Sequence, residues 1–412
     1  MRKFLLLAVL VPLVLAAGWY YFHELTLPAY GPLYREFAYI SNSKSNTVTV
    51  IDLRSFRPVR TLQVGVEPTG VAANPKRNEV YVVNAGSSNV SVIDAEENKV
   101  VATIGVYGRP YFIDVSPDGR RGYVANSGSG NVSVLDLERR TVAATLRVGG
   151  NPGLARVSPD GSTVVVTNRA DNTVSIIDAA RLAVRSAINV CIHPEDIAIL
   201  ADSSKAFISC SGSGQVASIA LKNEPRENEP RENEPRKNEP QQSEPQNDKL
   251  LALLDVGKSP VSLALKPDGG ELIAFNFDAG SISIIETAPN EVSGSYLIGS
   301  QPTRGVVSAD NSRLYISNFG SNNIAVYDID VGKVIAYLPV GTHPDALALS
   351  QDQNYLLVLD SGSGDLVVIQ KRQPKKKFEP SEYSLLTIIP VGMQPNQIVV
   401  KSFRATKLID GR

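Results

Sequence analysis

"YVVNAGSSNVSVIDAEENKVVATIGVYGRPYFIDVSPDG", residues Tyr81–Gly119, is the stretch on which the fold turns. It holds four short runs, "YVVN", "VSVID", "VVATIGV" and, after "GRP", "YFIDV". Each alternates apolar with polar residues or is rich in β-branched ones, which is how strands read. The closing "SPDG" at Ser116–Gly119 has turn chemistry, and it returns as "SPDG" at Ser158–Gly161 and "KPDG" at Lys266–Gly269.

The same unit recurs along the chain. The run that ends on Asn84 has counterparts ending on Asn42, Asn126, Asn168, Cys210, Asn276, Asn318 and Asp360. Every step is 42 residues except Cys210 to Asn276, which is 66. Four strands in a unit of about 42 residues is the sequence form of a propeller blade. Eight in-phase units predict an all-β, eight-bladed β-propeller over residues 38–403, with seven blades as the alternative. The first unit lacks a preceding Pro-x-x-apolar strand, whereas the chain ends on one, "QPNQIVVKS". The predicted ring therefore closes with three strands from the start of the domain and one, near Gln397–Lys401, from its end. Such closure leaves no exposed edge in the ring.

The pattern "YVVN…NVSVID…VVATI" resembles the YVTN-type β-propeller repeat of exported and cell-surface proteins. The resemblance covers about Ala38 to Ser402 and returns eight times. It implies the propeller frame. It does not imply one activity, since the broad group includes haem-binding, quinone-dependent and lactonase-like propellers as well as binding scaffolds.

Hydrophobic residues make up 43% of the 412 and charged residues 20%, which suits a globular chain with a sizeable core. With 41 basic against 42 acidic residues, nothing favours nucleic acid as a partner. At the N-terminus, Arg2 and Lys3 precede an uncharged run from Phe4 to Phe22. Residues 1–22 read either as a cleaved signal peptide or as a membrane anchor with Trp19, Tyr20 and Tyr21 at the interface. Both readings export the rest of the chain, to the periplasm or cell surface. Residues 23–37 then form a connector and 404–412 a tail.

The long step between units contains "NEPRENEPRENEPRKNEP", Asn223–Pro240. Prolines at five-residue intervals from Pro225 to Pro245 remove backbone donors, and Glu, Arg, Asn and Gln between them offer no core. Residues 222–248 are expected to be a disordered insertion in the turn before a blade's outermost strand. A shorter insertion, "KRQPKKKFEPSEY", occupies the same turn of the eighth unit.

Comparing units separates frame from payload. A proline opens the strand after each unit's last turn: Pro68, Pro110, Pro152, Pro194, Pro260, Pro302, Pro344 and Pro395. The residue before it is always polar and seldom the same: Glu67, Arg109, Asn151, His193, Ser259, Gln301, His343 and Gln394. A polar, variable ring at the channel mouth is where one asymmetric ligand would be read. Arg169 and Arg304 join the candidate set, with Tyr111, Glu195, Asp345, Phe277 and Phe319 on the same face. Asp52, Asp94, Asp136, Asp178 and Asp328 end strands and are expected to accept backbone hydrogen bonds in the next turn.

No "CxxCH" haem-attachment motif is present, the only tryptophan is Trp19, and there are three histidines. No Ser-His-Asp or metalloprotease motif stands out. The primary expectation is a monomeric binding or scaffold module without a cofactor, taking an envelope protein or a small polar ligand. One alternative is a haem-handling redox propeller with His193 or His343 as axial ligand. The other is a lactonase-like hydrolase holding a divalent cation through Glu67 and its neighbours. Cys191 and Cys210, the only cysteines, depart from the pattern on one face of one unit. Adjacent antiparallel strands bring them within bridging distance, so a disulfide is expected.

Overall fold

The computed structural model describes residues 31–221, 248–372 and 382–406, and every regular element among them is a β-strand. Residues 1–30, on which the expected leader and most of the expected connector fall, the insertion between Leu221 and Asp248, residues 373–381 and residues 407–412 lie outside the described residues.

Residues Phe37–Lys401 form one compact unit containing eight four-stranded sheets. In the second blade the order from the channel outward is Pro68–Ala73, Glu79–Asn84, Asn89–Asp94 and Lys99–Gly105. The other complete repeats have the same order. The first blade differs as expected: Arg57–Gln63, Thr47–Asp52 and Tyr34–Asn42 come from the start, and Pro395–Arg404 supplies the innermost strand. Ser41 Oγ donates to Asn396 Oδ1 at 2.6 Å across this closure. The ring thus has eight blades, and the seven-bladed alternative is set aside. A second, small unit comprises residues 31–36 and 402–406, in which Ala405 N–H donates to the Leu33 carbonyl at 2.8 Å.

Blade position explains the pattern of each strand. The middle strands are covered on both faces by neighbouring blades, so they read as near-continuous apolar runs. Tyr81, Val83, Val90 and Val92 of the second blade pack with Ile113, Val124 and Leu135 of the third, all buried. Outermost strands have one covered face, and Lys333–Pro339 alternates exposed with half-buried residues. Each outermost strand is joined through a bulge at one register position, as at Val92/Ile93 and Val134/Leu135, which adds twist to the blade.

A second recurring device lies where most crossing turns meet their blades. Asn84 Nδ2 donates to Asn89 Oδ1 at 2.8 Å and Ser91 Oγ at 3.0 Å. Gly65 lies so close that a Cβ there would sit 2.7 Å from the Asn84 side chain, so only glycine fits. The glycine recurs as Gly149, Gly257, Gly299, Gly341 and Gly392, each against the residue ending its blade's second strand. In the fifth blade Cys191 and Cys210 take both places and are joined by a disulfide, with Cα atoms 5.7 Å apart.

The strand-ending aspartates serve the frame. Asp94 Oδ1 accepts the Glu96 N–H at 2.8 Å, and Asp52, Asp136, Asp178 and Asp328 accept equivalent bonds. The long insertion leaves between Gln215–Ala220 and Lys249–Asp255, as the spacing predicts. Its exit is gripped: Asp248 receives Arg185 at 2.7 and 2.8 Å and Ser186 Oγ at 2.8 Å.

Candidate binding face at the channel mouth

Antiparallel order places the crossing turns and the hairpins between second and third strands on one face, opposite Leu221 and Asp248, which flank the insertion. All eight residues preceding the prolines have left-handed backbone, with φ between 49° and 59°. Each of their carbonyls accepts the N–H of the residue just after a second strand, as Ala85 N–H to Glu67 O at 2.9 Å and Phe319 N–H to Gln301 O at 3.0 Å. The polarity of this ring therefore has a backbone cause, because left-handed positions disfavour bulky apolar residues. The side chains remain free to differ.

They divide into three groups. Glu67, Arg109, Asn151 and Gln394 are exposed and have no side-chain partner among the described residues. Ser259 donates to Asp278 at 2.6 Å, while Gln301 is half-buried. Arg304 Nη1 donates to Gln397 at 2.6 Å, and Arg304 Nε lies 3.8 Å from Asp345.

His193 and Arg169 belong to a cluster built from three blades. The Arg169 guanidinium lies 4.5 Å above the Tyr111 ring, and its Nε is 2.8 Å from Glu195 Oε2. That contact is an ion pair too bent to count as a hydrogen bond. The other carboxylate oxygen, Oε1, is 2.8 Å from His193 Nδ1, and Ser211 Oγ is 3.2 Å from the same nitrogen. The imidazole is thus oriented through Nδ1, with Nε2 left over.

His343 is held differently. Its ring stacks on Phe319 at 4.3 Å and 7°, with Phe277 next to Phe319 at 6.4 Å. One side of the mouth is therefore charged and the other aromatic. A cavity of about 680 Å³ lies beside this stack, lined by Phe319, His343, the hairpin Ser361–Gly364, the turn Val391–Gln394, Lys44 and Ser45. His193 and His343 stand in the fifth and eighth blades and are not brought together. No group of three or more metal-ligating side chains occurs among the described residues, so Glu67 belongs to no such group there.

The channel wall adds a residue that spacing did not single out. Arg156 lies with its guanidinium 4.5 Å over Phe112, both on innermost strands. Among the described residues it is the half-buried arginine with neither hydrogen bond nor ion pair. Two carboxylates on other innermost strands are already engaged. Asp114 accepts Val157 N–H at 3.0 Å, and Asp196 accepts Leu263 N–H at 3.0 Å and Ser262 Oγ at 2.8 Å. Comparing units four residues after the proline exposes the signal. Six blades have alanine or valine there, and only Asp114 and Arg156 are charged.

Two family models match parts of the chain: a cytochrome D1 heme domain over residues 76–196, and a seven-bladed lactonase β-propeller over residues 270–384. Each covers less than a third of the sequence. No curated protein matches it. Among solved structures, a dihydro-heme d1 dehydrogenase NirN in complex with DHE is similar at TM-score 0.70 and 17% identity, covering 91% of this chain and 78% of that one. Hydrazine synthase of Kuenenia stuttgartiensis gives TM-score 0.54 and 22% identity, covering 81% and 91%. A putative 6-phosphogluconolactonase from Bacteroides fragilis gives 0.58 and 15%, covering 89% and 98%. At these identities the likeness is one of fold. The chain is a β-propeller.

Proposed function

We propose that the protein is an exported binding propeller that takes a small polar ligand at the channel mouth opposite the proline-rich insertion. The observation that carries this reading is the convergence of Tyr111, Arg169, His193 and Glu195 from three blades into one oriented cluster. Such convergent polar groups at a concave opening are the ordinary makings of a ligand site. Arg156, unpaired among the described residues, supports a ligand with an anionic group that enters the channel. An envelope protein would meet the same face through its exposed rim residues.

A second reading has its own support. A ligating imidazole is usually oriented by a carboxylate on its other nitrogen, and His193 has that partner in Glu195. The cytochrome D1 match spans the same blades. His193 would hold the iron, Arg169 and Arg156 would face carboxylate substituents, and the haem would supply redox chemistry.

The two readings separate by experiment. A thermal-shift screen of small carboxylates against the full exported chain should find a stabilising compound whose effect falls at least tenfold in apparent affinity in Arg169→Ala. Equal response in wild type and variant would refute the mouth site. Haemin titration with a Soret shift lost in His193→Ala, but kept in His343→Ala, would establish the second reading instead.

A further inference from the structure

The eighth blade departs from the others beneath the cavity at the mouth. In six blades the second strand ends on an asparagine whose Nδ2 donates to the side chain five residues on. Asn84 to Asn89, Asn168 to Thr173 and Asn318 to Asn323 are examples, at 2.8 to 2.9 Å. In the eighth blade these places hold Asp360 and Asp365, which are paired across the hairpin. Two carboxylates provide no N–H for the bond that those six blades make.

Asp360 is fully buried. Its Oδ2 accepts Gly341 N–H at 2.9 Å, while Oδ1 of Asp360 and Oδ1 of Asp365 are buried with no hydrogen-bond partner among the described residues. The elements packed against the pair do not neutralise it. The residues paired with Asp360 and Asp365 on the flanking strands are Pro344 and Pro390, which have no N–H. The titratable groups on the adjoining turns, His343 and Lys44, are exposed at the cavity. Among the described residues, Asp365 is the one charged group acting on Asp360.

We propose that Asp360 and Asp365 share a single proton in place of the missing amide hydrogen, and that its loss loosens the cavity wall at the mouth. The wall is directly attached. Asp360 holds Gly341, at the base of the turn carrying His343, and begins the hairpin Ser361–Gly364. Thr342 N–H and Ser363 Oγ join the two at 3.0 Å.

Burial, opposed by the Gly341 hydrogen bond and reinforced by Asp365, pushes the Asp360 carboxyl up to about 8. The folded chain therefore keeps a proton that the unfolded chain has already lost. Stability from this pair is full below the ordinary carboxylate range and falls as pH rises toward about 8, where the folded pair ionises. The ionised pair would put two negative charges under the cavity wall, which favours opening it to water.

The test uses the full chain and requires no ligand, so it succeeds or fails independently of any binding at the mouth. Carboxyl carbon NMR should show one aspartate titrating near neutral to alkaline pH in wild type and absent in Asp360→Asn. Hydrogen exchange should show amides of residues 341–343 and 361–364 losing protection, relative to Asp360→Asn at the same pH, by at least tenfold between pH 6 and 9. Asp365→Asn should abolish the same difference and serves if Asp360→Asn fails to fold. Only ordinary aspartate titrations, or identical exchange in wild type and both variants, would overturn the proposal.

Discussion

Exchanging the disulfide for the device used by most other blades tests whether the two are equivalent. Cys191→Gly with Cys210→Asn recreates the glycine–asparagine contact, whereas Cys191→Ala with Cys210→Ala removes the bridge and replaces it with nothing. The bridge spans a sequence separation of 19. Closing a loop of about 20 residues is worth roughly 3 kcal/mol by chain entropy. The alanine pair loses that and leaves a small void where two buried sulfurs were, adding about 1 kcal/mol. The glycine–asparagine pair fills the void and regains one or two hydrogen bonds. Their pattern is Gly149 N–H to Asn168 Oδ1 at 3.1 Å, and each is worth about 1 kcal/mol. Recovery is incomplete because the position seven residues on is Ala217, with no hydroxyl to match Ser91 or Ser175. Relative to wild type, the losses should be about 4 kcal/mol for the alanine pair and about 2 kcal/mol for the glycine–asparagine pair. Urea unfolding of oxidised protein, read by circular dichroism, gives both numbers. A glycine–asparagine variant no more stable than the alanine pair would refute the equivalence. So would an alanine pair as stable as wild type.

The ring carries two other expected outcomes. Deleting residues 398–412 removes most of the innermost strand of the first blade, so the domain should lose cooperative melting as a whole, not fray locally; an unchanged melting temperature would count against closure. Excising residues 222–247 joins Leu221 to Asp248, and because Ala220 already pairs with Lys249 the melting temperature should move by less than about 2 °C; a larger fall in calorimetry would mean that the excised stretch contributes to folding.

The frame was legible because a period of 42 puts every strand, bulge and crossing proline in register, so each unit acts as a control for the others. Closure was readable from a strand missing at one end and present at the other. The disulfide was readable because two departures fell on one blade. The site was less legible, for a physical reason. The ring before the prolines is polar partly because its backbone is left-handed, so polarity there mixes conformation with chemistry. Arg156 sits at an offset that is small and apolar in most blades, where its charge is conspicuous only once the units are aligned at that position. Neither its lack of a polar partner nor its placement on Phe112 can be read from spacing.

The mouth also shows how a near-repetitive frame acquires a direction. Three positions meet at each blade: the residue before the proline, the one after it, and the one just past the second strand. The backbone bond between the first and third is made whatever their side chains, as Arg169 N–H to Asn151 O and Phe319 N–H to Gln301 O both illustrate. Substitution at these places therefore costs the fold little. The third position holds Arg169 in the fourth blade and Phe277 and Phe319 in the sixth and seventh, against serine or alanine in the remaining five. Neighbouring departures reinforce one another, because Arg169 needs Tyr111 and Glu195 from the flanking blades, and Phe319 needs His343 from the next. Single changes on separate blades would have left isolated exposed groups. Clustered changes gave one charged arc and one aromatic arc around a single opening, which is the asymmetry that recognition of one ligand orientation requires.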